Sequence, residues 1–149
     1  MKVPVHDVER VILSHWHSDH SGGLLAFLQH HQAEWGAHHL KSNGSSPIIV
    51  DLHPNRPIAR GIAPPAVGKV IGRLAEDPSF EDINKYGKVE LNNHPHVVAD
   101  GTVFVSGEIP RKTSFEEGLV GGMRWIEEND EKKWISEPVR HPNSCFRFL

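Results

Sequence analysis

The run His15-Trp16-His17-Ser18-Asp19-His20 sets four side chains of metal-ligand type in six residues, with Gly22 and Gly23 just beyond. Imidazole nitrogen and carboxylate oxygen are donors that suit a borderline divalent ion such as Zn2+. His15 and His17 flank Trp16, so in an extended segment their rings point to one side and can share one ion. Asp19 and His20 follow after the chain has begun to turn and can serve a second ion. Two ions about 3.5–4 Å apart would clamp a hydroxide between them, and Asp19 would orient that water as well as bind metal. Such chemistry hydrolyses carbonyl or phosphoryl centres. The chain holds 12 histidines in 149 residues, so a histidine pair alone says little, and the doublets His30-His31 and His38-His39 carry no reading. The six-residue run differs because ligands, glycines and apolar flanks come in a functional order.

Those flanks are the elements that must position it. Val11, Ile12 and Leu13 form a short apolar run that reads as a buried strand over 8–13. Leu24 to Leu28 open an apolar helix over 22–31, whose positive end would face the ligands and favour anionic substrates. The ligands thus fall on a strand-to-helix loop, where a rigid scaffold can present them in a cleft. Residues 36–46 read as a loop with an Asn43-Gly44 turn, and 47–52 as a buried strand carrying Asp51 and His53 to its far end. Four prolines and three glycines in 54–72 argue against regular structure there, and 67–75 reads as a short helix. Ser79 and Asp82 have capping-box spacing for a helix ending near Gly87. Residues 96–99 and 102–105 flank Asp100-Gly101, the strongest hairpin signal in the chain. The charged stretch 123–134 reads as a solvated surface segment.

The stretch Ser14-His15-Trp16-His17-Ser18-Asp19-His20-Ser21-Gly22-Gly23-Leu24 resembles the signature of the metallo-β-lactamase superfamily. That resemblance implies an α/β fold, here the central portion of an αββα sandwich. It assigns His15 and His17 to one metal and Asp19 and His20 to the other. Zn2+ is the implied cofactor, two ions in the family, with Mn2+ or Fe2+ as alternatives. Val103 to Arg111, followed by Phe115-Glu116, and the region from Leu52-His53-Pro54 to Arg60 are similar to the subgroup named for dihydropterin-ribofuranosyl-aminobenzene phosphate synthase. In that light His53, Arg60, Glu108 and Arg111 are candidates for contact with a small phosphorylated or pterin-like substrate, although each also suits an ordinary surface or salt-bridge role. The family places strands ahead of the metal motif and a further His, Asp and His after it. The expectation is therefore a partial domain over 1–138, truncated at both ends, with an atypical tail over 139–149.

Composition narrows the classes. A net charge of -3 with no Lys/Arg stripe gives no reason to expect nucleic acid. No apolar stretch approaches a membrane span, and residues 1–10 carry Asp7 and Glu9 rather than a signal-peptide core. The single cysteine, Cys145, excludes an internal disulfide and fits a reducing compartment, read as the cytoplasm. A strand at 8–13 lacking its outer neighbours would leave a sheet edge through which copies could associate. Three functions compete: a metal-dependent hydrolase, a catalytically incompetent fragment, and a non-catalytic interaction module on the same fold. Metal content and hydrolysis assays separate the first from the second, and a stable, monodisperse apo protein with a specific partner would favour the third.

Overall fold

In the computed structural model, residues 3–38, 48–109, 119–128 and 131–137 are described, together with the backbone of 146–148. A 3-10 turn at Val5–Asp7 leads into β1 (Arg10–Ile12), the short helix α1 (Ser18–Ser21) and the long helix α2 (Leu24–His38). There follow β2 (Ile49–Leu52), β3 (Ala59–Ile62), β4 (Gly72–Arg73), α3 (Phe80–Asn84) and β5 (Lys88–Leu91). The chain continues through β6 (His96–Val98), β7 (Val103–Val105), β8 (Gly122–Glu128), β9 (Glu131–Ser136) and β10 (Phe146–Phe148). The expected mixed α/β class is what forms.

Three sheets share the strands. The first, ordered β1-β2-β5, is wholly parallel, with Arg10 opposite Ile49 and Ile49 opposite Lys88. Its ladder extends beyond β1, because Ile49 N–H donates to the Glu9 carbonyl at 2.8 Å and Leu13 N–H to that of Asp51 at 3.0 Å. Parallel neighbours need a crossover, and α2 and α3 supply the two helical ones. Within this sheet β1 has β2 as its single neighbour among the described strands. The other two sheets are antiparallel, ordered β10-β7-β6 and β4-β3-β8-β9.

The core lies between the first sheet and its helices. Ile48, Val50 and Leu52 alternate onto one face of β2 and meet Leu13, Leu24, Leu28 and Ile83, all buried. Gly87 lets the strand approach closely: a Cβ there would lie 3.0 Å from both Ile48 Cγ2 and Val50 Cγ2 and press on the core. The opposite face of β2 buries a polar residue. Asp51 accepts from Arg10 at 3.1 Å, from Asn92 at 2.9 Å, and meets His96 Nε2 at 2.8 Å. One carboxylate thereby joins β1 and β2 to the β6–β7 hairpin.

Several local expectations hold. Ser79 caps α3, its hydroxyl accepting from Asp82 N–H at 3.0 Å. The hairpin turns at Ala99-Asp100-Gly101-Thr102, with positive φ at Asp100 (52°) and Gly101 (87°) and Thr102 N–H donating to the Ala99 carbonyl. Positive φ at both central positions is the turn an Asp-Gly pair favours.

Others are corrected. The helix expected over 22–31 starts at Leu24 after a separate α1, and α2 runs through Gly36 to His38, so 36–38 are helical rather than loop, while 39–46 with the expected Asn43-Gly44 turn lie outside the described residues. Sufficient packing of the earlier turns outweighs the cost of about 1 kcal/mol for one helical glycine. Residues 54–72 are not without regular structure, since β3 occupies the proline-free interval between Pro57 and Pro64. No helix forms over 67–75; Gly68 takes φ +67° and β4 follows. The charged stretch 123–134 is the β8–β9 hairpin, with Trp125 opposite Trp134.

Leu28 is fully buried at the centre of the core. Leu28→Ala is expected to destabilise the chain by about 2–5 kcal/mol, measured by denaturant unfolding.

Candidate metal centre

Trp16 decides which way the ligand loop faces. Its side chain is 4% exposed, its ring meets Phe80 edge-on at 5.7 Å, and its indole N–H donates to the His53 carbonyl at 2.9 Å. With Trp16 turned inward, the alternation expected of an extended segment sends His15 and His17 to the other side, where their ring centres are 4.8 Å apart. His17 keeps extended backbone angles (φ -114°, ψ 147°) and is the N-cap of α1. The turn of α1 then brings the His20 ring to 4.1 Å from that of His15. The Ser14 hydroxyl lies 3.0 Å from His15 Nδ1 and 3.4 Å from His20 Nδ1. A partner at Nδ1 fixes ring orientation and tautomer, as it does for metal-bound histidines generally. Asp19 is largely exposed, with a carboxylate oxygen 3.4 Å from His20 Nε2.

Three imidazoles and a carboxylate therefore share one loop, a donor set of the kind Zn2+ takes. They are neighbours rather than a closed coordination shell. Among the described residues, the group of three or more such donors lying mutually within 4.8 Å is His6, Glu34 and His38, elsewhere in the fold.

The β8–β9 hairpin adds residues that the sequence reading missed. Glu137, just past β9, has a side chain only 7% exposed and places Oε1 3.5 Å from His17 Nε2. Gly122 makes room for it, since a Cβ there would stand 3.0 Å from Glu137 Oε2. Arg124 on β8 contacts Asn55 Oδ1 and the Arg56 carbonyl. Burial lowers the pKa of its guanidinium, while Glu137 and Glu128 pull it back up. The repeated Trp-Ile pairs around Asn129-Asp130 are the hairpin signal that could have exposed this element.

His53 sits at the end of β2, as expected, and is buried. The Asn55 backbone N–H donates to its Nδ1 at 3.0 Å, so the neutral ring carries its proton on Nε2. That Nε2 is buried without a hydrogen-bond partner among the described residues, and the half-exposed Glu108 carboxylate is 4.0 Å away. Burial lowers the His53 pKa, opposed by Glu108 and assisted by Arg124. His53 thus presents a buried N–H donor beside a carboxylate.

Arg60 and Asp77 form a buried bidentate pair, Nε to Oδ2 and Nη2 to Oδ1 both at 3.0 Å. The Ser21 hydroxyl contacts Asp77 Oδ1 and stands 2.9 Å from the His17 carbonyl, so its proton is shared between loop and ion pair. Two of the Arg60 nitrogens expected to meet a substrate are thereby engaged in bracing α1 from beneath. Arg111 lies outside the described residues.

The family model described as the metallo-beta-lactamase superfamily matches residues 2–118. No curated protein and no solved structure matches the chain.

Two outcomes follow from this geometry. Asp77→Ala strands the buried Arg60 charge and should cost about 3–5 kcal/mol in denaturant unfolding. The second concerns His96, whose burial favours the neutral ring but is outweighed by the Asp51 hydrogen bond, the His94 carbonyl and the Asp51 charge, which together raise its pKa. A raised folded pKa stabilises fully below the unfolded value of about 6.5 and loses that contribution as pH climbs through the folded one. The stability difference between wild type and His96→Gln should therefore be largest in mild acid and shrink above neutrality.

Proposed function

The chain belongs to the metallo-beta-lactamase superfamily, and from that membership we propose that it is a metal-dependent hydrolase acting at the loop of His15, His17, Asp19 and His20. Its fold is a partial form of the superfamily's, and superfamily membership supports a hydrolase-like function. The observation that carries the reading further is the inward lock of Trp16, which gathers three imidazole rings on the opposite side of the loop. His15 and His17 would hold one divalent ion and Asp19 and His20 a second, with Zn2+ the best match to the donors. Bound Zn2+ lowers the pKa of water to about 7 and polarises a carbonyl or phosphoryl oxygen.

The protein's own residues supply positioning. Ser14 orients two of the rings, and the Arg60–Asp77–Ser21 brace holds the first turn of α1 against the His17 carbonyl. His53, kept neutral by burial, would donate from Nε2 to a substrate oxygen, and Glu108 would accept from a substrate hydroxyl or amine. An apolar recess of about 310 Å3, lined by Val11, Leu13, Leu24 and Phe27, opens beside Ser14 and His20 and could take a ring system. Small phosphorylated or pterin-like substrates, as in the dihydropterin-ribofuranosyl-aminobenzene phosphate synthase subgroup, would fit these contacts, with Arg111 a further candidate. We assign the superfamily unit to residues 1–138 and the protein to the cytoplasm, the latter on its single cysteine, Cys145. No helix among the described residues is long and apolar enough to cross a membrane.

The test is elemental analysis after dialysis, paired with hydrolysis of phosphodiester, lactone and β-lactam substrates. Wild type should retain zinc that His15→Ala/His17→Ala loses, and show chelator-sensitive turnover that drops at least ~100-fold in His17→Ala, the loss expected of a misplaced reacting group. Equal metal in both chains would sink the assignment.

A further inference from the structure

At the other end of α2 from the ligand loop, the helix packs against the 3-10 turn Val5–Asp7. His31, Glu34 and His38 recur at helical spacing and therefore share one face of α2. His31 is fully buried on that face, its Nε2 2.9 Å from the Val8 carbonyl. One turn on, Glu34 Oε2 lies 3.9 Å from His38 Nε2. The His6 ring stacks on that of His38, centres 3.9 Å apart and planes 21° from parallel. Ligand atoms of His6, Glu34 and His38 all fall within 4.8 Å of one another.

We infer that His6, Glu34 and His38 form a second divalent transition-metal site, separate from the His15–His20 loop, that clips the N-terminal turn to the end of α2. Two imidazoles and one carboxylate are a ligand set that zinc accepts, with water in the fourth position. Zinc bonds of about 2.0–2.2 Å put tetrahedral ligands roughly 3.4 Å apart, so on binding the three ligand atoms draw closer and the stacked imidazoles turn until their in-plane lone pairs converge on the ion. Backbone placement already brings the three together: Glu34 and His38 are one helical turn apart, and His6 arrives on a turn packed against them. Asp7 Oδ1, 3.5 Å from His6 Nε2, stands beside the cluster as a further oxygen donor. Because β1 begins three residues after this turn, an ion here would fix how the chain enters the first strand. Metal that binds the folded chain and not the unfolded one stabilises it by mass action. The clip is thus expected to act on stability rather than on the reaction.

The experiment is zinc titration of the chelator-stripped full-length chain, by calorimetry and by thermal melting. Wild type is compared with His6→Ala, Glu34→Gln, His38→Ala and His15→Ala/His17→Ala. The first three should each lose one zinc per chain or bind it at least ~10-fold more weakly, at or beyond the penalty for losing an outer-sphere partner. They should also lose the matching part of the zinc-dependent rise in Tm. The double variant of the loop should keep this site while losing the other. Glu34 and His38 are substantially exposed, so their variants should fold, and matching melting curves in chelator will verify that. Zinc stoichiometry and affinity unchanged in His38→Ala and Glu34→Gln would overturn the inference.

Discussion

The burial of one indole governs the orientation of everything at the candidate centre. In an extended segment adjacent side chains must take opposite sides, so a tryptophan held in the core leaves both flanking histidines facing out together. Burying a large aromatic ring contributes a few kcal/mol of hydrophobic stabilisation. The indole N–H is satisfied at the same time by the His53 carbonyl, so no unpaired donor offsets that gain. The same hydrogen bond joins the ligand loop to the tip of β2. The strand that anchors the core thus also registers His53 against the histidines.

Around this anchor the polar groups are organised by burial rather than by number. Asp51 and Asp77 are buried carboxylates, and each meets an arginine plus further polar groups: His96 and Asn92 for Asp51, Ser21 for Asp77. A buried charge with several well-placed partners is tolerable where a lone one is not. Both networks link elements that hydrophobic contacts alone leave adjustable. One joins the parallel sheet to the β6–β7 hairpin, and the other joins β3 to α1 beneath His17. A buried pair adds little net stability over apolar residues of the same shape, so what these networks contribute is the link between the elements they join.

The sequence was most legible where local chemistry decides the conformation. The Asp100-Gly101 turn, the Ser79 cap and the order of strand, ligands, glycines and helix are all set within a few residues. It was least legible where pairing decides. β3 and β5 are four-residue strands whose existence rests on β8 and β2, and nothing within them marks a strand strongly. Arg60 illustrates the limit for sites. Its fork suits a phosphate and suits Asp77 equally well, and only the fold shows which partner fills it. His31, part of a doublet without evident meaning, proved to be a core residue because its face of α2 meets the N-terminal segment.

Glu137 and Arg124 extend this point to the electrostatics of the centre. A hairpin rich in charged residues has enough exposed positions to look solvated throughout, yet its two alternating faces see different surroundings. Trp125 and Trp134 pair across it and receive Arg73 over their rings, which settles that side. Alternation then sends Arg124 to the other side, toward Asn55 and Arg56, where it influences His53. Glu137 tempers the same guanidinium and faces His17. Arg124 and Glu137 thus set opposite charges beside His53 and His17. Under the proposed function the loop's own donors would draw the cation, and an anionic substrate group would meet the Arg124 guanidinium alongside the N–H of His53.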